Sequence, residues 1–281
     1  MDLRNSDFTR RLAEQLCNRG DLDCRWYHGN WELLNSLGMV STSGVHAREL
    51  GALLKLALLD RNSTPRILLS GSTDATLLQI LASICKDGGH QADITAVDIC
   101  ATPLELMSQY ARENKLRFSS TRADILEYCP EKSYDIIFTH AFMGNFDEAG
   151  RAQLVRKWAS MLSEEGSVVT AQRVRPVDSS PVVRFSADQS RNFISASLEA
   201  AAQVDEPQPG DLARVEAAAT AFTQHFMSHA ITSKAALEQL FLDANLTFRH
   251  LEYKSLAKSF NLAGPSVPSG GEYGFIVAGR E

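Results

Sequence analysis

The chain has 281 residues and a formal net charge of -6 at pH 7; 44% of its residues are hydrophobic and 22% are charged. This composition is typical of a globular protein, and the length fits one large domain or a core domain with a cap. The acidic balance, with no basic run of five or more residues, argues against a nucleic-acid partner, and no apolar stretch approaches the roughly 18 residues that span a membrane. The polar first seven residues lack the apolar core of a secretory signal, so we expect a cytoplasmic protein.

Residues 1–62 are predicted to form a helical cap. Apolar residues recur there at helical spacing in three stretches. These are Phe8, Leu12 and Leu16; then Trp31, Leu34 and Leu37; and finally Leu50, Leu53, Leu54, Ala57 and Leu58. Gly20, Gly38 and residues 41–44 are typical of helix ends and turns, and residues 61–65 form a short polar connector.

From residue 66 the pattern alternates between strands and helices. In chain order it predicts strand 67–69, helix 76–85, strand 94–97, helix 103–114, strand 116–121, strand 134–139, helix 147–162, a stop at 163–166 and strand 167–171. Such alternation predicts a parallel sheet that is covered on both faces and joined by right-handed crossovers. The sequence therefore indicates an α/β fold.

The segment 173–231 interrupts this alternation with helices 187–202 and 211–225, which flank a turn at 207–210. The pattern then resumes with a helix that begins after Thr232 or Ser233 and ends at Ala244. Strand 248–253, a loop and a final strand at 273–278 complete the chain.

Two short motifs indicate the class of site. Strand 67–69 breaks at Ser70-Gly71 before a helix, and the next predicted strand ends at Asp98. In a doubly wound sheet, such an acid lies at the carboxyl end of its strand and can accept hydrogen bonds from the ribose diol of a nucleoside cofactor. The alternatives are that Gly71 serves only the turn and that Asp98 caps the following helix.

In element order and motifs, residues 66–171 and 232–279 resemble the class I S-adenosylmethionine (SAM)-dependent methyltransferases. The resemblance implies a Rossmann-like sheet of seven strands with an antiparallel last strand. It implies SAM as the cofactor of a domain at 63–281, with a helical lid inserted at about 173–231. Because lids of this type exclude water and build an acceptor pocket, we expect a small-molecule substrate, as in secondary metabolism. A homodimer is compatible with the sequence, which leaves the oligomeric state open.

The resemblance also assigns contacts with the cofactor. They are Gly71 and Ser72 near the methionine part, Asp98 at the ribose, Ile99 beside the adenine, Asp124 and Ile125 at the adenine amino group and ring, and Thr139, His140 and Ala141 facing the sulfonium. For Asp124 the alternative is an ordinary loop acid.

The first motif departs from the family pattern of an acid followed by three spaced glycines. Leu69 replaces the acid, and Thr73 and Ala75 replace two of the glycines. In the family, the acid holds the ammonium of the methionine moiety, so here Asp74 would have to substitute, unless it serves only the helix dipole.

The missing acid opens a second chemistry, in which the free α-amine of SAM attacks its own Cγ, as in azetidine-2-carboxylate synthases. A third alternative is a protein that binds SAM without turnover. An NAD-dependent oxidoreductase is disfavoured because the glycine fingerprint of that class is absent.

Several side chains are candidates for the chemistry. His140, at the end of the fourth strand, is the candidate general base. Asn145 offers an amide to the substrate, and Tyr27 a hydroxyl that holds a carboxylate or orients a nucleophile. The alternatives are a histidine fixed by backbone bonds and an ordinary turn at Asn145.

Aromatic and cationic side chains are candidates for binding. Trp26, Tyr27, Trp31 and Phe142 are candidate aromatic partners of the sulfonium, although the spacing of Trp31 with Leu34 favours a core position. Arg173 and Arg175 are candidates to bind a carboxylate, against the alternative of a solvated surface.

We expect no metal and reduced thiols. The five cysteines, Cys17, Cys24, Cys85, Cys100 and Cys129, are scattered and contain no C-x-x-C pair. His28, His225 and His229 have no metal-ligand spacing with a nearby acid.

Overall fold

The computed structural model describes residues 6–19, 22–41, 43–59, 63–175, 179–204, 210–255 and 271–280. Gly20, and parts of the predicted connector at 61–65, the turn at 207–210 and the loop before the last strand, lie outside the described residues. No helix within the described residues is long and apolar enough to cross a membrane.

The N-terminal part contains helices and a short hairpin. Its elements are α1 (Ser6–Leu16), β1 (Asn18–Arg19), β2 (Leu22–Asp23), α2 (Arg25–Ser36), a 3₁₀ helix (Ser43–His46) and α3 (Ala47–Leu58). The prediction of helices alone in this part was wrong, because β1 and β2 pair as antiparallel strands. Two-residue strands are too short to leave an alternating pattern in the sequence.

The large apolar side chains of the predicted helix α1 are not fully buried. Phe8 is 46% exposed, whereas Ser6, Thr9 and Ala13 are buried. Ala13 faces Gly29 of α2, where an added Cβ would lie 3.4 Å from the Ala13 Cβ. The two helices pack closely through small residues, so the buried face of α1 is the one that a search for large apolar side chains misses.

The rest of the chain builds a seven-stranded sheet. Its strands are β3 (Arg66–Ser70), β4 (Asp93–Asp98), β5 (Phe118–Arg122), β6 (Tyr134–His140), β7 (Leu162–Val174), β10 (Thr247–Ser255) and β11 (Glu272–Gly279). The strand order is β10-β11-β7-β6-β3-β4-β5. β3 pairs in parallel with β4 and β6, whereas β11 is antiparallel to both β7 and β10. The predicted α/β sheet with an antiparallel last strand is confirmed.

The remaining elements cover the sheet or follow β7. They are α4 (Thr76–Asp87), α5 (Ala101–Glu113), a 3₁₀ helix (Phe142–Asn145), α6 (Glu148–Met161), β8 (Val182–Val183), α7 (Ala187–Ala202), α8 (Asp211–His225), β9 (Ser228–His229) and α9 (Lys234–Leu242). The predicted N-cap Ser233 is confirmed, since its hydroxyl accepts a hydrogen bond from the Ala236 N–H at 3.0 Å.

The predicted boundary between α6 and the following strand was wrong. The polar stretch 163–166 was expected to end a helix and precede a strand, but β7 begins at Leu162, directly after α6. Leu162 pairs with Tyr134, and the register between β6 and β7 shifts before Ile136. This bulge accommodates the polar residues inside the strand.

Apolar side chains fill both faces of the sheet. On one face α3, α4 and α5 pack around Leu54, Leu78 and Met107; on the other, α6 and α9 pack around Trp158 and Phe241. A third cluster joins α2 to α7 and α8. The carboxyl ends of β3, β4, β6 and β7 therefore lie beneath helices from two separate parts of the chain.

Candidate active site

A cavity of about 460 Å³ lies at the carboxyl ends of the central strands. Residues of the β3–α4 turn form its floor, α2 covers it on one side, and residues 226–231 cover it on another. In open α/β sheets, ligands bind at this edge, and the volume is in the range of small-molecule sites.

Asp98, at the end of β4, is held by the backbone around it. Its Oδ2 accepts a hydrogen bond from the Ser72 N–H at 3.0 Å, and its Oδ1 accepts one from the Cys100 N–H at 2.7 Å. Burial raises the pKa of this carboxyl, while the two backbone bonds lower it. Each oxygen retains acceptor capacity toward the cavity, as the predicted ribose contact requires.

Gly71 is required by its conformation and by a close neighbour. Its φ is +69°, and an added Cβ would lie 2.2 Å from the Phe142 ring. Its N–H donates to the Val97 carbonyl at 3.0 Å, which fixes the turn against β4. The Phe142 ring therefore occupies the space beside the Gly71 backbone. A contact between Gly71 and the cofactor stays a prediction.

Helix α2 contacts the β3–α4 turn through two side chains. The Tyr27 hydroxyl lies 2.8 Å from the Thr73 hydroxyl, and the Trp31 indole N–H donates to Asp74 Oδ2 at 3.2 Å. Asp74 Oδ1 also accepts a bond from the Thr76 N–H at 2.8 Å. Burial raises the pKa of Tyr27, so its hydroxyl stays protonated and acts as a hydrogen-bonding group.

The residues predicted at the adenine lie at one end of the cavity. Ile99 is 50% exposed, Ile125 is buried, and both line the cavity together with Asp124. Asp124 Oδ1 accepts a bond from the Leu126 N–H at 2.9 Å, so its loop is held by its own side chain.

His140 lies in a stack of rings at the end of β6. Its Nε2 is 2.9 Å from Nδ1 of His46, and its ring is parallel to that of Tyr273. Burial, together with the charge of His46, lowers the pKa of His140 to about 3. This value favours a neutral imidazole that shares a hydrogen bond, and the role of general base stays a prediction.

Thr139 does not reach the cavity, contrary to its assignment facing the sulfonium. Its side chain is fully buried, and its hydroxyl donates to the Ser70 carbonyl at 2.7 Å. Because successive residues of a strand point to opposite faces, only His140 of this pair can line the site. Ala141, with a φ of +51°, and Asn145 follow it at the cavity wall.

A buried arginine, Arg175, and a half-buried one, Arg173, line the cavity at the end of β7. Arg175 is 5% exposed, and the Nε of Arg173 is buried without a hydrogen-bond partner. Burial, with the charge of Arg173, lowers the pKa of Arg175 to about 10, and burial also lowers that of Arg173. Neither arginine has an acidic partner within the described ranges. Arg175 is buried, so the alternative of a solvated surface does not hold for it.

Three of the five cysteines lie close together in space. The side chains of Cys17, Cys24, His28 and Cys100 meet beside the cavity, within 4.8 Å of one another. Hydrogen bonds from the Cys17 and Cys24 thiols hold the pKa of Cys100 well below its usual range. The expectation of no metal rested on sequence spacing, which cannot detect ligands that come from separate elements.

Comparisons with known proteins agree with this architecture. Residues 67–166 match the family model of a methyltransferase domain. The N-methyltransferase NodS from Bradyrhizobium japonicum WM9, solved with S-adenosyl-L-homocysteine, is 12% identical with a TM-score of 0.51, over 97% of this chain and 99% of that one. No curated protein matches the chain.

Two further solved structures have similar folds. A SAM-dependent methyltransferase from Clostridium acetobutylicum ATCC 824 is 11% identical with a TM-score of 0.50, over 84% of this chain and 92% of that one. The [4+2]-cyclase SpnF is 13% identical with a TM-score of 0.51, over 86% and 83%. The chain therefore has the fold of the class I SAM-dependent methyltransferases, and residues 67–166 match the model of a methyltransferase domain, which confirms the resemblance.

Proposed function

We propose that this protein is a SAM-dependent methyltransferase whose acceptor is a small molecule with an anionic group. The observation that carries the proposal is the pair Arg173 and Arg175, which line the same cavity as Asp98 and have no acidic partner among the described residues. Three strand spacings separate β7 from β4, or about 14 Å. This distance leaves room for a nucleoside at one end and an acceptor at the other.

The residues at the Asp98 end fit the nucleoside part of SAM. Asp98 offers carboxylate oxygens to a diol, and Ile99 and Ile125 offer apolar surface to a flat ring. Phe142 and Tyr27 supply aromatic rings that attract a cation. We propose that Gly71 and Ser72 lie along the methionine part.

The residues at the other end fit an anionic acceptor. A buried guanidinium without a counter-ion raises the energy of the free protein, and a carboxylate or phosphate relieves this cost through paired hydrogen bonds. We propose that Arg173 and Arg175 bind this group and that Asn145 contributes an amide contact.

In methyl transfer, the acceptor's lone pair attacks the methyl carbon, the carbon–sulfur bond breaks, and S-adenosylhomocysteine leaves. The protein aligns the acceptor and excludes water, since α2 and residues 226–231 close the cavity. The neutral His140 accepts or donates a hydrogen bond at the acceptor, and His46 fixes its ring.

A second candidate is intramolecular ring closure, in which the α-amine of SAM attacks Cγ, loses a proton and expels methylthioadenosine. The observation in its favour is Leu69, which is buried in the core where the family has an acid. Leu69 cannot accept a hydrogen bond from the ammonium, and Asp74, the nearby acid, already accepts hydrogen bonds from Trp31 and Thr76. The likeness to a cyclase shows only that the fold is not confined to one reaction.

We retain four finer expectations as parts of this proposal. They are a cap at 1–62, a lid at about 173–231, a cytoplasmic location and the absence of a nucleic-acid partner. A homodimer and a role in secondary metabolism remain compatible with it.

The experiment is a product analysis by mass spectrometry. The purified protein is incubated with SAM alone, and then with SAM and a panel of small carboxylic acids, each paired with its methyl ester as a matched neutral analogue. We expect S-adenosylhomocysteine and a methylated product only with free acids. Methylthioadenosine from SAM alone would replace methyl transfer by ring closure, and turnover of the esters alone would contradict the anionic acceptor.

A further inference from the structure

Four potential metal ligands converge at the junction of the N-terminal helices and the sheet. Cys17 follows α1, Cys24 precedes α2, His28 lies in the first turn of α2, and Cys100 precedes α5. Cys24 and His28 are four residues apart, so they share one face of α2. Cys17, His28 and Cys100 are buried, and Cys24 is partly buried.

Three of the six distances among these atoms match the edges of a tetrahedron around zinc, and all six are within 4.8 Å. The Cys100 Sγ lies 3.5 Å from the Sγ of both Cys17 and Cys24, and the Cys17 Sγ lies 3.7 Å from Nδ1 of His28. Around a Zn²⁺ ion with Zn–S of about 2.3 Å and Zn–N of about 2.0 Å, the edges of a tetrahedron measure about 3.5 to 3.8 Å. The ligands are therefore spaced as if around one central ion.

Polar groups around the sulfurs favour a thiolate at Cys100. The Thr102 N–H donates to the Cys100 Sγ at 3.4 Å, and the Thr102 hydroxyl lies 3.0 Å from the Cys17 Sγ. Cys24 and Cys100 both occupy N-cap positions, where the helix dipole stabilises negative charge. Hydrogen-bonded thiolates of this kind are typical of metal ligands.

A disulfide does not explain the cluster. All five cysteines are free, and the sulfur separations of 3.5 Å far exceed a disulfide bond of about 2.05 Å. A disulfide would also leave one thiol of the three unpaired. Packing of small apolar side chains would not explain why the imidazole turns its Nδ1 toward the sulfurs.

We propose that Cys17, Cys24, His28 and Cys100 bind one Zn²⁺ ion as a structural Cys₃His site. Four protein ligands complete the coordination shell, so no position remains for a substrate. Binding requires all three sulfurs as thiolates and the imidazole in its neutral form, so protons still held by these four groups are released.

The site would fasten the covering helices to the cavity. It joins α1 and α2 to Cys100, whose N–H bonds to Asp98, and His28 directly follows Tyr27, which contacts the β3–α4 turn. The zinc would therefore hold both the cover of the cavity and the strand end that carries Asp98. Its loss would loosen the cover while the sheet stays folded.

The test measures zinc in the purified full-length chain by inductively coupled plasma mass spectrometry. We expect about one equivalent per chain in the wild type. Cys24→Ser, the least buried of the three thiols, should lose the metal. Cys129→Ser is the matched control, because Cys129 is exposed and lies outside the cluster. It should keep the full equivalent.

A second measurement keeps the test valid if Cys24→Ser folds poorly. Wild-type protein stripped by a chelator is titrated with Co²⁺, and we expect the visible bands of tetrahedral thiolate-bound cobalt. Zinc should raise the melting temperature of the stripped protein by on the order of 10 °C. No zinc above the level of the Cys24→Ser variant, no cobalt bands, or a disulfide between two cluster cysteines would each overturn the proposal. These readouts need no SAM, so they fail or succeed independently of the proposed enzyme activity.

Discussion

The two ends of the cavity differ in how completely their charges are paired. At the β4 end, Asp98 is matched by two backbone N–H groups. At the β7 end, Arg175 is buried and Arg173 half-buried, and neither has an acidic partner among the described residues. The carboxylate at the first end has hydrogen-bond donors without a ligand, whereas the guanidinium groups at the second end have no anion in the described part of the chain.

This difference indicates which ligand each end is built for. A carboxylate fixed by the backbone can accept further hydrogen bonds from neutral hydroxyls without being reorganised. Two unmatched guanidinium groups instead require negative charge, and their cost to the free protein is recovered when an anion binds. The β4 end is therefore suited to accept hydrogen bonds from neutral hydroxyl groups, whereas the β7 end is suited to bind an anion.

The largest effect is expected from removing the cations. Replacing both arginines (Arg173→Met with Arg175→Met) should lower kcat/KM for a carboxylate acceptor by about 10²- to 10⁴-fold, because charged hydrogen bonds contribute about 1.5–3 kcal/mol each. The affinity for S-adenosylhomocysteine should stay near that of the wild type. The melting temperature should rise by a few degrees, since an unpaired buried charge is removed.

Arg191→Met provides the control, because Arg191 is an exposed arginine whose partner is Asp188. This variant should change neither kinetics nor melting temperature beyond error. If the double variant loses affinity for S-adenosylhomocysteine instead, the arginines bind the carboxylate of the methionine moiety. The ionic end would then belong to the cofactor.

His140 lies between the two ends and should show an intermediate effect. If the neutral imidazole acts through hydrogen bonds, His140→Gln should keep most of the activity, whereas His140→Ala should lose about 10-fold in kcat. The pH dependence of kcat should show no limb from this residue near neutrality. Equal losses in both variants, with a wild-type limb between pH 6 and 7, would instead support the general base predicted from sequence.

His140 should also make the free energy of unfolding depend on pH. The folded-state pKa of about 3 lies below the ordinary value of 6.5, so the unfolded chain binds more protons between these pH values. The stability advantage of the neutral histidine is present above pH 6.5 and is lost as the pH falls toward 3. The free energies of unfolding in urea of the wild type and His140→Gln should converge over this range.

The smallest effect is expected at the cover of the cavity. Tyr27→Phe removes the hydroxyl that lies 2.8 Å from Thr73 and should weaken S-adenosylhomocysteine binding about 3- to 5-fold, as expected for one neutral hydrogen bond. Isothermal titration calorimetry measures this change, with Tyr110→Phe on α5 as a control away from the cavity. A loss above 100-fold would assign Tyr27 a direct ionic or catalytic contact.

Much of the fold could be predicted because its signals are local. Apolar runs such as β3 and β6 are buried on both faces, and helices such as α7 and α8 carry their own caps or periodicity. The hairpin β1–β2 could not be predicted, because its two-residue strands are too short to leave a pattern, and the early start of β7 could not, because Leu162 pairs with the distant Tyr134. The Ala13–Gly29 contact that places α1 has no apolar signature at all.

The candidate site, too, could be predicted only in part from the sequence. Gly71, Asp98 and Asp124 follow strand ends, so the sequence could place them at one edge of the sheet. The sequence could not show that Thr139 turns away from the cavity or that His46 bonds to His140. It also missed the cluster of Cys17, Cys24, His28 and Cys100, because three separate elements bring its members together.

The central claim is that this cavity binds SAM through Asp98, and calorimetric titration with S-adenosylhomocysteine tests it most directly. The account predicts one site in the wild type and about 100-fold weaker binding for Asp98→Ala, through the loss of charged hydrogen bonds. Asp93→Ala, at the opposite end of β4, should bind as the wild type does, and melting curves should show that each variant is folded. No binding to the wild type, or equal affinity for a folded Asp98→Ala protein, would contradict the account.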